Sequence, residues 1–244
     1  MDQLKANEAS AGNGSTDPEF VRGLFDWLAP RYDSVVISYS LGQDLRWKHV
    51  LVDELDPRPG ERALDLACGT GPVSDRLARR LGDRAVVGLD VNPAMVREAS
   101  RRFPRRSVLR ADAERLPFAD RTFDVVTAGY LFKYVRLDRF ASEVRRVLRP
   151  GGRLGGYDFS APIVDSITGK AYDEYLRRIL PWLGRARDRG TGPWTEMLQF
   201  LASLAPRSHW EDRLPGTLQA TGFEAVRRRP SLGGAITWVW ARVP

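Results

Sequence analysis

The chain has 244 residues, 43% hydrophobic and 28% charged, with a net charge of +7 and one cysteine. That is one domain's length with enough apolar residues for a full core. A single Cys68 excludes an internal disulfide framework, and neither a membrane-length apolar run nor a signal peptide is visible, so the default location is cytoplasmic. The positive charge is a weak argument for nucleic acid. Only Lys5, Lys48, Lys133 and Lys170 are lysines, and the arginines are spread along the chain. The densest groups, Arg101-Arg102 with Arg105-Arg106 and Arg227 to Arg229, read as solvated faces without an RNA-binding aromatic motif.

In chain order, residues 1–17 are polar and read as a disordered tail. Residues 18–244 then read as a single domain, beginning with a helical cap over 18–56. Asp17 is an N-cap candidate and Pro18 fits the first helical position. Phe20, Val21, Leu24, Phe25 and Leu28 follow at helical spacing, and Pro30 closes the helix. Further helix is expected over 31–56.

From 61 to 160, apolar runs alternate with helical patterns. Strands are expected at 62–66, 85–89, 107–110, 123–128 and 153–159, and helices at 73–81, 93–102 and 137–148. Such alternation predicts a parallel sheet with right-handed crossovers. Residues 161–215 hold five prolines among aromatic and apolar patches and read as a mostly helical insertion over the cleft. Two final strands are expected at 223–229 and 235–243.

The most specific chemistry lies in Ala-Leu-Asp-Leu-Ala-Cys-Gly-Thr-Gly at 63–71, followed by Gly-Leu-Asp at 88–90. An apolar strand, a small-residue loop, a helix and a second strand ending in an acid form a unit that holds a nucleoside. The loop glycines let the backbone approach a ligand, and Asp90 can accept from ribose hydroxyls. The third glycine of a dinucleotide fingerprint is missing, and the Asp65 carboxylate before the loop would repel a pyrophosphate. It suits the ammonium and sulfonium of S-adenosylmethionine (SAM) instead.

Five stretches carry a family resemblance: Phe25 to Asp33, Leu64 to Gly71, Asp90 to Met95, Ala111 to Phe118 with Thr122 to Asp124, and Arg149 to Arg153 with Asp158 to Pro162. In this order and spacing the chain resembles a class I SAM-dependent methyltransferase, and most closely the ubiquinone/menaquinone-biosynthesis (UbiE-like) C-methyltransferase family. The resemblance covers roughly residues 20–185. It implies an α/β, Rossmann-like fold with a seven-stranded, mostly parallel sheet flanked by helices, an N-terminal helical cap and a helical insertion before the last two strands. It also implies SAM as methyl donor and S-adenosylhomocysteine as product.

The resemblance implies roles by position. Asp65 and the backbone of Ala67, Gly69, Thr70 and Gly71 would face the methionine part of SAM. Asp90 would hold the ribose, with Val91 in the same stretch and Met95 near the adenine face. Asp112 would accept from the adenine amino group, the Ala113 amide would donate to a ring nitrogen, and Gly129 would lie against the sulfonium. No metal is implied. The loop position explains a small residue at Cys68 better than a nucleophile does.

Methylating a ring carbon of a phenol calls for a base near its hydroxyl. His209, beside Trp210 and Asp212, is a candidate, as are Tyr130 and Tyr32 as pocket residues. His49 reads as structural. The chain departs from the family on the acceptor side. Tyr130-Leu131-Phe132-Lys133-Tyr134 replaces the usual Phe-Gly-Leu-Arg-Asn, Val36 stands for an Asn, and Trp238-Val239-Trp240-Ala241 for Leu-His-Arg-Gly. The replacements are aromatic and apolar, which suits a hydrophobic or aromatic small molecule. Quinone-like and tailoring acceptors, and C-, O- or N-methylation, all stay open. The alternative is a protein of the same fold that binds SAM without methylating, or that catalyses a reaction such as cyclisation. The expected partner is a small apolar or aromatic acceptor, not nucleic acid. No stable membrane insertion is expected, and peripheral contact and a homodimer are left open.

Overall fold

The computed structural model describes residues 18–160, 166–188, 194, 195, 198 and 209–244. The expected tail at 1–17, the Asp17 cap and the remainder of the 161–215 insertion lie outside the described residues. Seven strands, β1 (Ala63–Leu66), β2 (Val86–Asp90), β3 (Ser107–Arg110), β4 (Phe123–Gly129), β5 (Leu148–Phe159), β6 (Glu224–Ser231) and β7 (Ile236–Arg242), form one sheet in the order β3-β2-β1-β4-β5-β7-β6. The pairings from β3 to β5 are parallel, and those of β7 with β5 and β6 are antiparallel. The strand order reverses direction at β1, which lies between β2 and β4. A ligand crevice opens outside the carboxyl ends of such strands.

Helices cover both faces. On one face α6 (Leu137–Val147) and α9 (Trp210–Ala220) pack against the sheet. In α6, Leu137, Phe140, Ala141, Val144 and Val147 recur at helical spacing and all are buried. Each large side chain among them is worth about 1.5–3 kcal/mol of burial. The opposite face takes α3 (Gln43–Leu55) and α4 (Pro72–Leu81), through Trp47, Leu51, Val73 and Leu77. The described part of the insertion is α7 (Ile167–Glu174), a π-turn at Tyr175–Ile179 and α8 (Leu180–Asp188).

The expected helices at 73–81, 93–102 and 137–148 match α4, α5 (Pro93–Arg102) and α6 to within a residue at each end. Two expectations change. After α1 (Pro18–Leu28), the helical stretch at 31–56 is split into α2 (Tyr32–Tyr39) and α3, because Leu41 (φ 52°) and Gly42 (φ 78°) turn left-handed. Strand β5 starts at Leu148 rather than 153, because Leu148 already pairs with Phe123 before the Pro150–Gly152 segment. Pro230 sits within β6, an edge strand where a missing N–H costs little.

Candidate functional site

The loop after β1 lies at the mouth of the crevice. Ala67 (φ 51°), Gly69 (φ 55°) and Gly71 (φ 91°) all take left-handed backbone. At Gly71 a Cβ would meet the Phe103 ring at 2.9 Å, so both conformation and space demand glycine. The loop is pinned to β2. Cys68 N donates to Leu89 O at 3.0 Å, and Gly69 N donates to Asp90 Oδ2 at 2.8 Å. The other oxygen of Asp90 accepts from Asn92 N at 2.9 Å. Burial pushes the Asp90 carboxyl up, against the pull of these amides. Asn92 in turn caps α5, its Oδ1 accepting from Ala94 N and Met95 N. Such a cap is worth about 1 kcal/mol.

The N-terminal helices reach the same place. Asp26 of α1 accepts from Asn92 Nδ2 at 3.0 Å, and Asp33 of α2 accepts from Thr70 Oγ1 at 2.7 Å while pairing with Arg102. Tyr32 lies 3.8 Å from where a Gly69 Cβ would stand, so its ring covers the loop. Burial and the nearby Asp44 carboxylate push the Tyr32 phenol well up, keeping it protonated.

The sequence-predicted residues divide by exposure. Asp65 is 1% exposed and faces inward. Its oxygens accept from Ser74 Oγ at 2.6 Å and Thr127 Oγ1 at 2.8 Å, and burial lifts its carboxyl to about 6. Asp112 is exposed and accepts from Glu114 N, while Ala113 is buried. Val91 is exposed, whereas Met95 is buried against Ala29, Ala94 and Tyr32. Burial pushes the Cys68 thiol well up, which makes it a poor nucleophile.

At the end of β4, Gly129 lies beside the Tyr157 ring, whose atoms would stand 3.5–3.6 Å from a Cβ placed there. Tyr130 follows at φ 58°, stacked on Phe159 with centroids 5.2 Å apart and edge-on to Tyr157 at 5.0 Å. Its hydroxyl donates to Asp44 Oδ1 at 2.8 Å, and Lys48 Nζ donates to Asp44 Oδ2 at 2.5 Å. A second buried pair, Lys133 with Asp158 at 2.5 Å, stands over the same rings. Sequence reasoning missed Asp44, Lys48 and Asp158. The available signal was lysine placement: Lys48 and Lys133 are two of only four lysines in an arginine-rich chain.

His209 stands apart in kind. It is exposed at φ 41° before α9 and groups with Glu211 and Asp212, their ligating atoms within 4.8 Å of one another. Asp212 is already paired with Arg228. His49 faces Arg76 Nη2 at 2.9 Å on an exposed surface. A cavity of about 840 Å³ lined by Arg62, Leu81 and Ala85 lies by the starts of β1 and β2, at the opposite ends of the strands from the loop.

A glycine loop between β1 and α4, an acid closing β2 and a sheet of this order define a class I SAM-dependent methyltransferase. A SAM-dependent methyltransferase from Thermotoga maritima shares the fold, with a TM-score of 0.61 at 18% identity over 91% of this chain and 99% of that one. The chain belongs to the ubiE/COQ5 methyltransferase family, whose profile matches residues 13–242. It is 37% identical to a demethylmenaquinone methyltransferase of Beutenbergia cavernae, over 93% of this chain and 92% of the relative. It is 32% identical to a ubiquinone/menaquinone biosynthesis C-methyltransferase UbiE of Teredinibacter turnerae, over 92% and 91%. The methyl donor is SAM. No described helix is long and apolar enough to cross a membrane.

Proposed function

We propose that the protein methylates a small aromatic, quinone-like acceptor, seated against Tyr130, which the buried Phe159 and Tyr157 rings back, beside Gly129. The observation that carries this reading is the tie of Tyr130 Oη to the buried Asp44–Lys48 pair, at the end of the strand next to the glycine loop. Aromatic faces hold a flat ring, and one polar group fixes its orientation. The names of the relatives support a quinone as the acceptor class.

The residues fit an adenosyl group. Asp90 would hold the ribose hydroxyls with its remaining lone pairs, Asp112 the adenine amino group, and Ala113 N a ring nitrogen. Thr70, Gly69, Ala67 and Gly71 would line the methionine part, with Val91 and Met95 at the adenine side. Asp65 acts from below the loop as a buried negative charge. When bound, SAM supplies a methyl on a cationic sulfur. The protein's task is to hold the acceptor in line with it at Gly129, a contribution of up to about 7–11 kcal/mol.

Burial and Asp44 hold the phenols of Tyr32 and Tyr157 protonated, so neither serves as the base. Tyr130 is different in being tied to a carboxylate. It can take a ring-hydroxyl proton while passing its own to Asp44 Oδ1. Tyr32 closes the loop side and keeps water out. His209 has no such tie to the loop among the described residues, and its part in the reaction is not needed in this reading.

The test is turnover. Incubation with SAM and a demethylmenaquinone analogue should yield S-adenosylhomocysteine and the methylated ring. Turnover of non-quinone phenols with none of the quinone analogue would move the acceptor to a tailoring substrate. No product from any aromatic acceptor, with SAM bound, would sink the reading.

A further inference from the structure

A groove of about 520 Å³ runs between α3 and the β6–β7 hairpin, and none of the residues assigned to SAM lines it. Its apolar wall is made by Trp47, Val50 and Leu232. Trp238 also lines it. That side chain is 4% exposed, and its buried indole Nε1 has no hydrogen-bond partner among the described residues. Buried indole N–H groups normally find an acceptor; Trp240 Nε1 on the same strand is bare as well, but only Trp238 of the two lines the groove. The ring is held in place by Arg229, whose guanidinium lies 5.3 Å from the Trp238 centroid.

Two cations, Arg46 and Arg229, and two acids, Asp53 and Glu54, line the groove. Its two acids are already engaged, Asp53 with Arg80 and Glu54 with Arg227 and Arg229. Arg46 lines the groove, is exposed, and makes no ion pair among the described residues. Among the described residues, a donor without an acceptor and a cation without an anion therefore share one groove with an apolar wall.

We propose that this groove is a second ligand site, for a small organic anion with an apolar body. The acid head accepts from Trp238 Nε1 and pairs with Arg46, and the body lies on Trp47, Val50 and Leu232. Trp47 also packs on Tyr157 and Phe159, with centroids 6.3 Å from each. The groove and the aromatic wall of the cleft therefore share one indole, and an occupant of the first braces the second. The proposal holds whichever acceptor the cleft takes.

Calorimetry on the whole chain, saturated with S-adenosylhomocysteine, tests it with 2-naphthoate as probe. Saturable one-to-one binding is expected, with the neutral 2-naphthamide about ten-fold weaker or more. Trp238→Phe keeps an aromatic ring but removes the N–H together with the five-membered ring, and Arg46→Met removes the charge together with the guanidinium donors. Each should weaken 2-naphthoate about five- to ten-fold and leave SAM affinity unchanged. Arg46 is a surface residue, so its variant stays informative where Trp238→Phe folds poorly. The proposal is overturned if 2-naphthoate shows no saturable binding, if the amide binds as tightly as the acid, or if Arg46→Met binds the acid like the wild type.

Discussion

The carboxylate of Asp90 accepts from the amide of Gly69 at 2.8 Å, so the acid that closes β2 also shapes the loop that leaves β1. One side chain thereby ties together both halves of the proposed nucleoside site. Asp90→Ala is expected to weaken SAM binding at least about ten-fold, the cost of a lost charge-assisted hydrogen bond. It should also lower the melting temperature, since Gly69 and Asn92 lose their acceptor. Titration calorimetry and a thermal melt measure the two effects. Unchanged affinity would remove Asp90 from the site.

Asp65 gives a pH dependence. Its folded-state carboxyl is raised to about 6, against about 3.9 in an unfolded chain. The folded state binds the extra proton between these values. Stability should therefore fall as pH rises through this window, by up to ~3 kcal/mol, and be flat above it. SAM affinity should move the other way, rising from pH 5 to pH 7 as the buried negative charge appears beneath a cationic ligand. Asp65→Asn should flatten both profiles. A wild-type affinity that is flat across this range would count against the electrostatic role.

Lys48 and Asp44 are 5% and 0% exposed at their side chains. Breaking such a pair leaves one charge buried alone. Lys48→Met should therefore destabilise the fold by about 3–5 kcal/mol, read by urea denaturation.

Tyr130→Phe removes the link from the ring wall to Asp44 without emptying the wall. The expected result is a fall in kcat of about 10²-fold or more with the KM for SAM unchanged, as for loss of a positioned proton-transfer group. A shift in the KM for SAM at constant kcat would instead place Tyr130 on the donor side.

Gly71→Ala tests the loop. The substitution puts a Cβ at a φ of 91° and 2.9 Å from Phe103. A stability loss of about 1–3 kcal/mol with weakened SAM binding is expected, because the loop must shift. A variant as stable as the wild type would show that the loop relaxes freely.

The local rules carried far along this chain. Apolar runs, prolines and glycines act over a few residues, so β1 to β4, the second half of β5, α4, α5 and α6, the glycine loop and the acid at Asp90 were all legible. So was the family, because its motifs are short and contiguous. The break at Leu41-Gly42 was missed, since Leu41 is a non-glycine residue in a left-handed turn.

What the sequence determined by itself is the donor half: a strand, a loop of forced backbone shape and an acid, all set by neighbours in the chain. Only the tertiary structure brings together the residues of the proposed acceptor half. Tyr130 meets Asp44 across 86 residues because the first turn of α3 lies by the end of β4, and Lys133 meets Asp158 across 25 because β4 pairs with β5. Periodicity marks the buried stripe of a helix through its apolar residues. It cannot say that Asp44 and Lys48 share that stripe, since their burial is made tolerable only by each other and by a phenol from a distant strand.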